Sequence, residues 1–149
     1  MNKITQIPFS LAKITATNLN PLLFDQKLMP TLLACLSSGK GTWTEVVKVI
    51  NSQPWSKVFL LTDQFGKERF TPLGTTELIM VDFQRETSEL VEQIKTELQG
   101  KVADFEVGLN LASGNGKEHM ALLEAVLELG LNFRLVTVQR GQVEVLGLR

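Results

Sequence analysis

Cysteine and histidine are nearly absent from this chain of 149 residues, which holds one of each. With Cys35 alone, no disulfide framework can form within one chain, and a reducing, cytoplasmic setting is the expected one. Cys35 lies in an apolar run, where a free thiol is ordinarily a small buried hydrophobe. One His and one Cys cannot make a structural zinc site without carboxylates, and no H-E-x-x-H occurs, so no metal and no cofactor is expected. A basic surplus is also missing: 15 Lys and Arg stand against 16 Asp and Glu, for a net charge of -1. That balance argues against a general DNA or RNA binder, although net charge averages over faces and leaves a local basic pocket open. No apolar run approaches the ~18 residues of a membrane span, so no membrane partner is expected.

Hydrophobic residues make up 44% of the chain and charged ones 21%, ordinary values for a globular domain. The first 29 residues are patterned differently. They carry three Lys and no acid before Asp25, and they lack the compact apolar core of a secretory signal. Residues 1–29 read either as a weakly structured N-terminal extension or as the product of a start assigned upstream of Met29. The patterned domain occupies 30–149.

Within that domain a short motif occurs twice, 75 positions apart. Ala34-Cys35-Leu36-Ser37-Ser38-Gly39-Lys40-Gly41 lines up with Leu109-Asn110-Leu111-Ala112-Ser113-Gly114-Asn115-Gly116. Each copy reads as an apolar strand, then Ser-Gly-x-Gly, then a helix start. Glycines let backbone amides approach a ligand, a helix N-terminus adds positive potential, and hydroxyls donate hydrogen bonds. Two such turns on neighbouring strands point to one site built from both halves.

The remaining pattern alternates strand and helix. Thr31–Leu36 is a strand. Trp43, Val46, Val47 and Ile50 form a helical stripe, with Thr42 and Glu45 placed as a capping box. Lys57–Thr62 reads as a second strand ending at Asp63, and the weakly patterned stretch from Gln64 to Thr75 stands in place of a full second helix. A third strand is expected at Leu78–Val81, a helix at Thr87–Leu98, and a fourth strand at Phe105–Leu111. A helix at Lys117–Leu129 and strands at Phe133–Val138 and Val143–Leu146, joined by a hairpin-like turn, complete the chain. This order predicts an α/β fold, a single Rossmann-like three-layer domain. Its sheet is mainly parallel in the order 3-2-1-4-5, with a C-terminal β-hairpin. Strands 1 and 4 are then adjacent, and ligands in such sheets sit beyond the carboxyl ends where the strand order reverses. Both repeated loops fall there.

The loops do not match the commoner phosphate motifs. Neither supplies a P-loop, because Lys40 is followed by Gly41 and Lys117 by Glu118. The dinucleotide fingerprint breaks twice, since Thr44 and His119 stand where its third glycine belongs, although Asp63 lies where a ribose-binding acid would be. Asp63 and Asp82 at neighbouring strand ends are magnesium candidates or simple turn caps. A Ser-His-Asp triad would need His119, with no G-x-S-x-G before it. What remains is a metal-free anion pocket. Ser37, Ser38, Thr42, Ser113 and Asn115 offer neutral donors, Lys40 and Lys117 offer charge, and Gly39, Gly41, Gly114 and Gly116 give access. The alternative is a pair of steric turns with solvated lysines. The last helix carries Met120, Leu122, Leu123, Val126, Leu127 and Leu129 over more than one face, so its surplus is covered either by the C-terminal hairpin or by a second subunit.

These residues resemble the CRISPR-associated Rossmann-fold (CARF) sensor family. The likeness rests on Ser37-Ser38-Gly39 after the first strand. It rests more on Ser113-Gly114-Asn115-Gly116-Lys117 leading into Glu118-His119-Met120-Ala121-Leu122-Leu123, and it spans about Thr31 to Leu146. The resemblance implies a homodimer in antiviral defence that binds cyclic oligoadenylate across its two-fold axis, or a stand-alone ring nuclease that cleaves it without metal. It implies Lys117 as the phosphate-contacting lysine and Ser37 or Ser38 as the polar residue of the first strand. In a cleaving enzyme the ribose 2′-OH would attack the adjacent phosphate in line. Lys117 and Lys40 would stabilise charge there, and Ser38 would position the phosphate. Two other readings stand beside it: a non-catalytic interaction module with structural loops, and a small-molecule enzyme using a nucleotide cofactor.

Overall fold

A computed structural model describes residues 31–37, 40–72 and 74–147; the expected N-terminal extension, residues 1–29, lies outside the described residues. The strands are β1 (Thr31–Leu36), β2 (Lys57–Thr62), β3 (Thr76–Met80), β4 (Glu106–Asn110), β5 (Asn132–Gln139) and β6 (Gln142–Val145). The helices are α1 (Trp43–Asn51), which follows a 3-10 turn at Lys40–Thr42, then α2 (Gln64–Arg69), α3 (Thr87–Leu98) and α4 (Gly116–Glu128). One sheet runs β3-β2-β1-β4-β5-β6. The first five strands are parallel, and β6 returns antiparallel on β5. The architecture is thus the expected α/β domain with its C-terminal hairpin.

Strand β1 lies at the centre because all six of its residues are apolar or small enough to be buried on both faces. Leu33 and Cys35 face α3 and α4, together with Phe59, Leu61, Leu90, Ile94, Leu109 and Leu122. Leu32, Ala34 and Leu36 face α1, with Val46, Val49, Trp55, Val58 and Leu60. Gly108 has a packing reason: a Cβ there would come within 3.0 Å of the Trp55 ring.

Three local readings need correction. The buried stripe of α1 is Trp43, Val46 and Val49, while Val47 and Ile50 are only partly covered, so the helix is rotated from the expected face. Thr42 makes no capping bond; its backbone is already helical (φ -91°, ψ -9°), and a helical residue cannot turn its side chain back over the first amides. Strand β3 begins at Thr76 and ends at Met80, because its half-exposed pairing with β2 tolerates Thr76 and Glu77, which an apolar pattern discounts.

Candidate functional site

The β1–β4 pairing sets the site. Ala34 pairs with Asn110, an offset of 76, although the best sequence alignment of the two motifs has an offset of 75. The motif copies are therefore slipped by one residue in the sheet, and one residue exchanges the faces of a strand. Because of that slip Ser37 stands level with Ser113. The Ser37 amide donates to Ser113 Oγ at 3.1 Å, joining the two loops directly. Both serines are buried. The Ser37 carbonyl in turn accepts from Trp43 Nε1 at 2.8 Å, which ties the first loop to α1.

Helix α4 opens on a complete capping box. The Asn115 side chain accepts from the Glu118 amide at 2.9 Å, and the Asn115 amide donates to Glu118 Oε1 at 3.1 Å. The capping box lies here, at Asn115 and Glu118, and not at Thr42 and Glu45. Gly114 has φ +113°, and a Cβ there would lie 2.9 Å from His119 Nε2 and 3.0 Å from Glu118 Oε1. His119 Nε2 lies 2.8 Å from the Ser113 carbonyl, so the only histidine braces the loop. Gly41 and Gly116 differ: a Cβ at either meets nothing within 4 Å, so each glycine leaves open space in front of its loop.

Lys117 Nζ donates to the Arg85 carbonyl at 2.7 Å, which draws it toward the loop between β3 and α3. An ammonium has three N–H donors, and this bond uses one. Ser38 and Gly39 lie outside the described residues. The strand-end acids resolve as turn caps. Asp63 Oδ1 accepts from the Gly66 amide at 3.0 Å and starts α2, and Asp82 Oδ1 accepts from the Gln84 amide at 3.0 Å. Among the described residues no group of three His, Cys, Asp or Glu is placed to hold a metal ion, and no helix is long and apolar enough to cross a membrane.

Two further polar residues at this end are buried. Asn110 Nδ2 donates to the Val136 carbonyl at 2.8 Å and its Oδ1 accepts from the Ala112 amide at 3.1 Å, fixing the exit of β4 against β5. Glu118 is buried within the capping box, beside Cys35. The bond from Asn110 to the Val136 carbonyl has no signature in periodicity, because the fold brings that carbonyl in from β5. No family model matches the chain, and no curated protein matches it significantly.

Proposed function

We propose that this chain binds a phosphate-bearing nucleotide at the paired loops Ser37–Thr42 and Ser113–Lys117. Following the CARF resemblance, we take that ligand to be a cyclic oligoadenylate. The observation that carries the reading is the Ser37–Ser113 hydrogen bond, which merges two glycine-bearing loops into one rim at the carboxyl ends of β1 and β4. Open space at Gly41 and Gly116 and the capped N-terminus of α4 support it. Ser113 is a positioning residue in this reading, since its hydroxyl is buried on the Ser37 amide. Lys117 brings charge to the rim, and the ring-nuclease version adds Lys117 and Ser38 as the groups acting on the phosphate. The proposal includes a homodimer through the outer face of α4.

One observation favours the rival, a non-catalytic interaction module with structural loops: the Ser113 carbonyl, Asn115, Glu118 and His119 all make hydrogen bonds within their own loop and helix start. Titration separates the two readings. Cyclic tetra-adenylate or adenosine monophosphate binds the wild-type protein, and Lys117→Ala weakens binding by roughly ten- to a hundred-fold with an unchanged melting temperature. Incubation in chelator, followed by chromatography of the nucleotide, reads out cleavage separately. A wild type that binds neither nucleotide leaves the loops structural.

A further inference from the structure

At the carboxyl end of β2, beside the first loop, the fold holds a partly exposed aromatic side chain. Phe65 is 38% exposed, and it is the exposed aromatic at this end of the sheet among the described residues, Phe105 lying at the opposite end. Its neighbours fix it in place. Gly66 lets α2 settle onto β2, since a Cβ there would lie 1.8 Å from Thr62 Oγ1. Thr62 Oγ1 itself donates to the Leu36 carbonyl at 2.6 Å, at the exit of β1. The Trp43 ring meets Phe65 edge-on at 6.1 Å and bonds through its indole nitrogen to the Ser37 carbonyl. Phe65 is therefore one side chain away from the loop that carries the proposed phosphate site. The Arg69 guanidinium carbon lies 4.0 Å from the Phe65 ring centroid, so a planar cation caps an aromatic ring there. Arg69 is exposed; its guanidinium donates a long hydrogen bond to the Phe65 carbonyl at 3.5 Å and lies 3.6 Å from the Glu68 carboxylate.

Aromatic rings and guanidinium planes are the surfaces on which nucleobases stack, and a base stacked on either is read without regard to strand pairing. We propose that Phe65 and Arg69 form the base-binding subsite of this pocket. A nucleotide would lie across the ends of β1 and β2 with its phosphate at the paired loops and its purine against the Phe65–Arg69 pair. This inference rests on the phosphate-site reading and deepens it: the ligand class is a base-bearing nucleotide, and a bare sugar phosphate fills only half of the site.

The test compares adenosine monophosphate with ribose 5-phosphate by calorimetric titration of the full chain. Wild type prefers the nucleotide. Phe65→Ala lowers its affinity by about tenfold or more while leaving ribose 5-phosphate unchanged. Phe65→Leu, which keeps an apolar contact for Trp43, gives the same selective loss with a near-native melting temperature, and covers the case in which the alanine variant fails to fold. Nucleotide affinity unchanged in Phe65→Leu, with both probes still bound, overturns the base subsite and leaves the phosphate site standing. An equal loss for both probes also overturns the subsite, because Phe65 would then only support the loop. Binding of neither probe to the wild type overturns the base subsite, and the phosphate site falls with it when cyclic tetra-adenylate also fails to bind.

Discussion

Cys35 shows how burial decides chemistry at a single residue. Its side chain is fully covered on the α3–α4 face of β1, and burial pushes the thiol up from its ordinary 9.0 to about 12, with the nearby Glu118 carboxylate adding to the rise. A thiol held protonated is neither a nucleophile nor a metal ligand. The linkage has a definite sign. The unfolded chain loses this proton near pH 9 and the native state keeps it to about 12, so the native state binds more protons between those values and stability falls as pH rises. That group alone imposes a slope of up to about 1.4 kcal/mol per pH unit in the window. Urea melts between pH 8 and 11 should show the loss in the wild type and a flatter profile in Cys35→Ala, whatever the baseline cost of the small cavity. Parallel profiles would mean that the thiol ionises in the native state.

Among the elements, α4 is the most fully specified. Asn115 and Glu118 cap it, Gly114 turns into it with a positive φ, and Gly130 follows its end at φ +78°. Asn115→Ala removes one bond of the box and should lower stability by about 0.5–2 kcal/mol, measured by chemical denaturation. If the proposed nucleotide site is present, its rim is shaped by the Ser113–Asn115 turn and nucleotide affinity should fall with it; a variant that loses neither stability nor affinity would show the cap to be incidental. The same helix shows what was legible beforehand. Helices α3 and α4 and the apolar strands β1, β2 and β4 announced themselves by periodicity, because burial on a sheet imposes a pattern at that scale. The site was legible only as two glycine-bearing loops on strands expected to be neighbours. Its internal wiring was not, since Ser37–Ser113, Lys117–Arg85 and Trp43–Ser37 join residues through register and side-chain reach, which a linear pattern does not encode. Phe65 was invisible for a related reason: six residues of α2 are too few to display a face.

At the level of the whole molecule the two ends of the sheet differ. The carboxyl end carries the paired loops and the Trp43–Phe65–Arg69 cluster. The opposite end holds an open groove lined by Leu127, Leu131, Phe133, Leu135 and Leu146, next to Phe105, which is 85% exposed. On the outer face of α4, Met120 and Leu127 stand seven positions apart, at 59% and 58% exposure, and the C-terminal hairpin does not cover them. A helix exposing two large apolar side chains on one stripe is suited to burial against another copy. Light scattering at micromolar concentration should therefore give the mass of a dimer, and Met120→Glu combined with Leu127→Glu should give a monomer with an unchanged circular dichroism spectrum. A wild-type monomer, or a double variant that still dimerises, would move the interface elsewhere or remove it.

The bond between Ser37 and Ser113 spans 76 positions of chain, and it has a consequence for biosynthesis. As the polypeptide leaves the ribosome, β1 can pair early with β2, but its other edge has no native partner until β4 has emerged. The central strand of the fold is thus exposed along one side for much of translation, the condition in which a nascent chain depends on chaperones or on fast downstream synthesis. The contact that joins the two glycine-bearing loops comes into being at the same late moment that this edge is covered, so an incomplete chain lacks the joined rim.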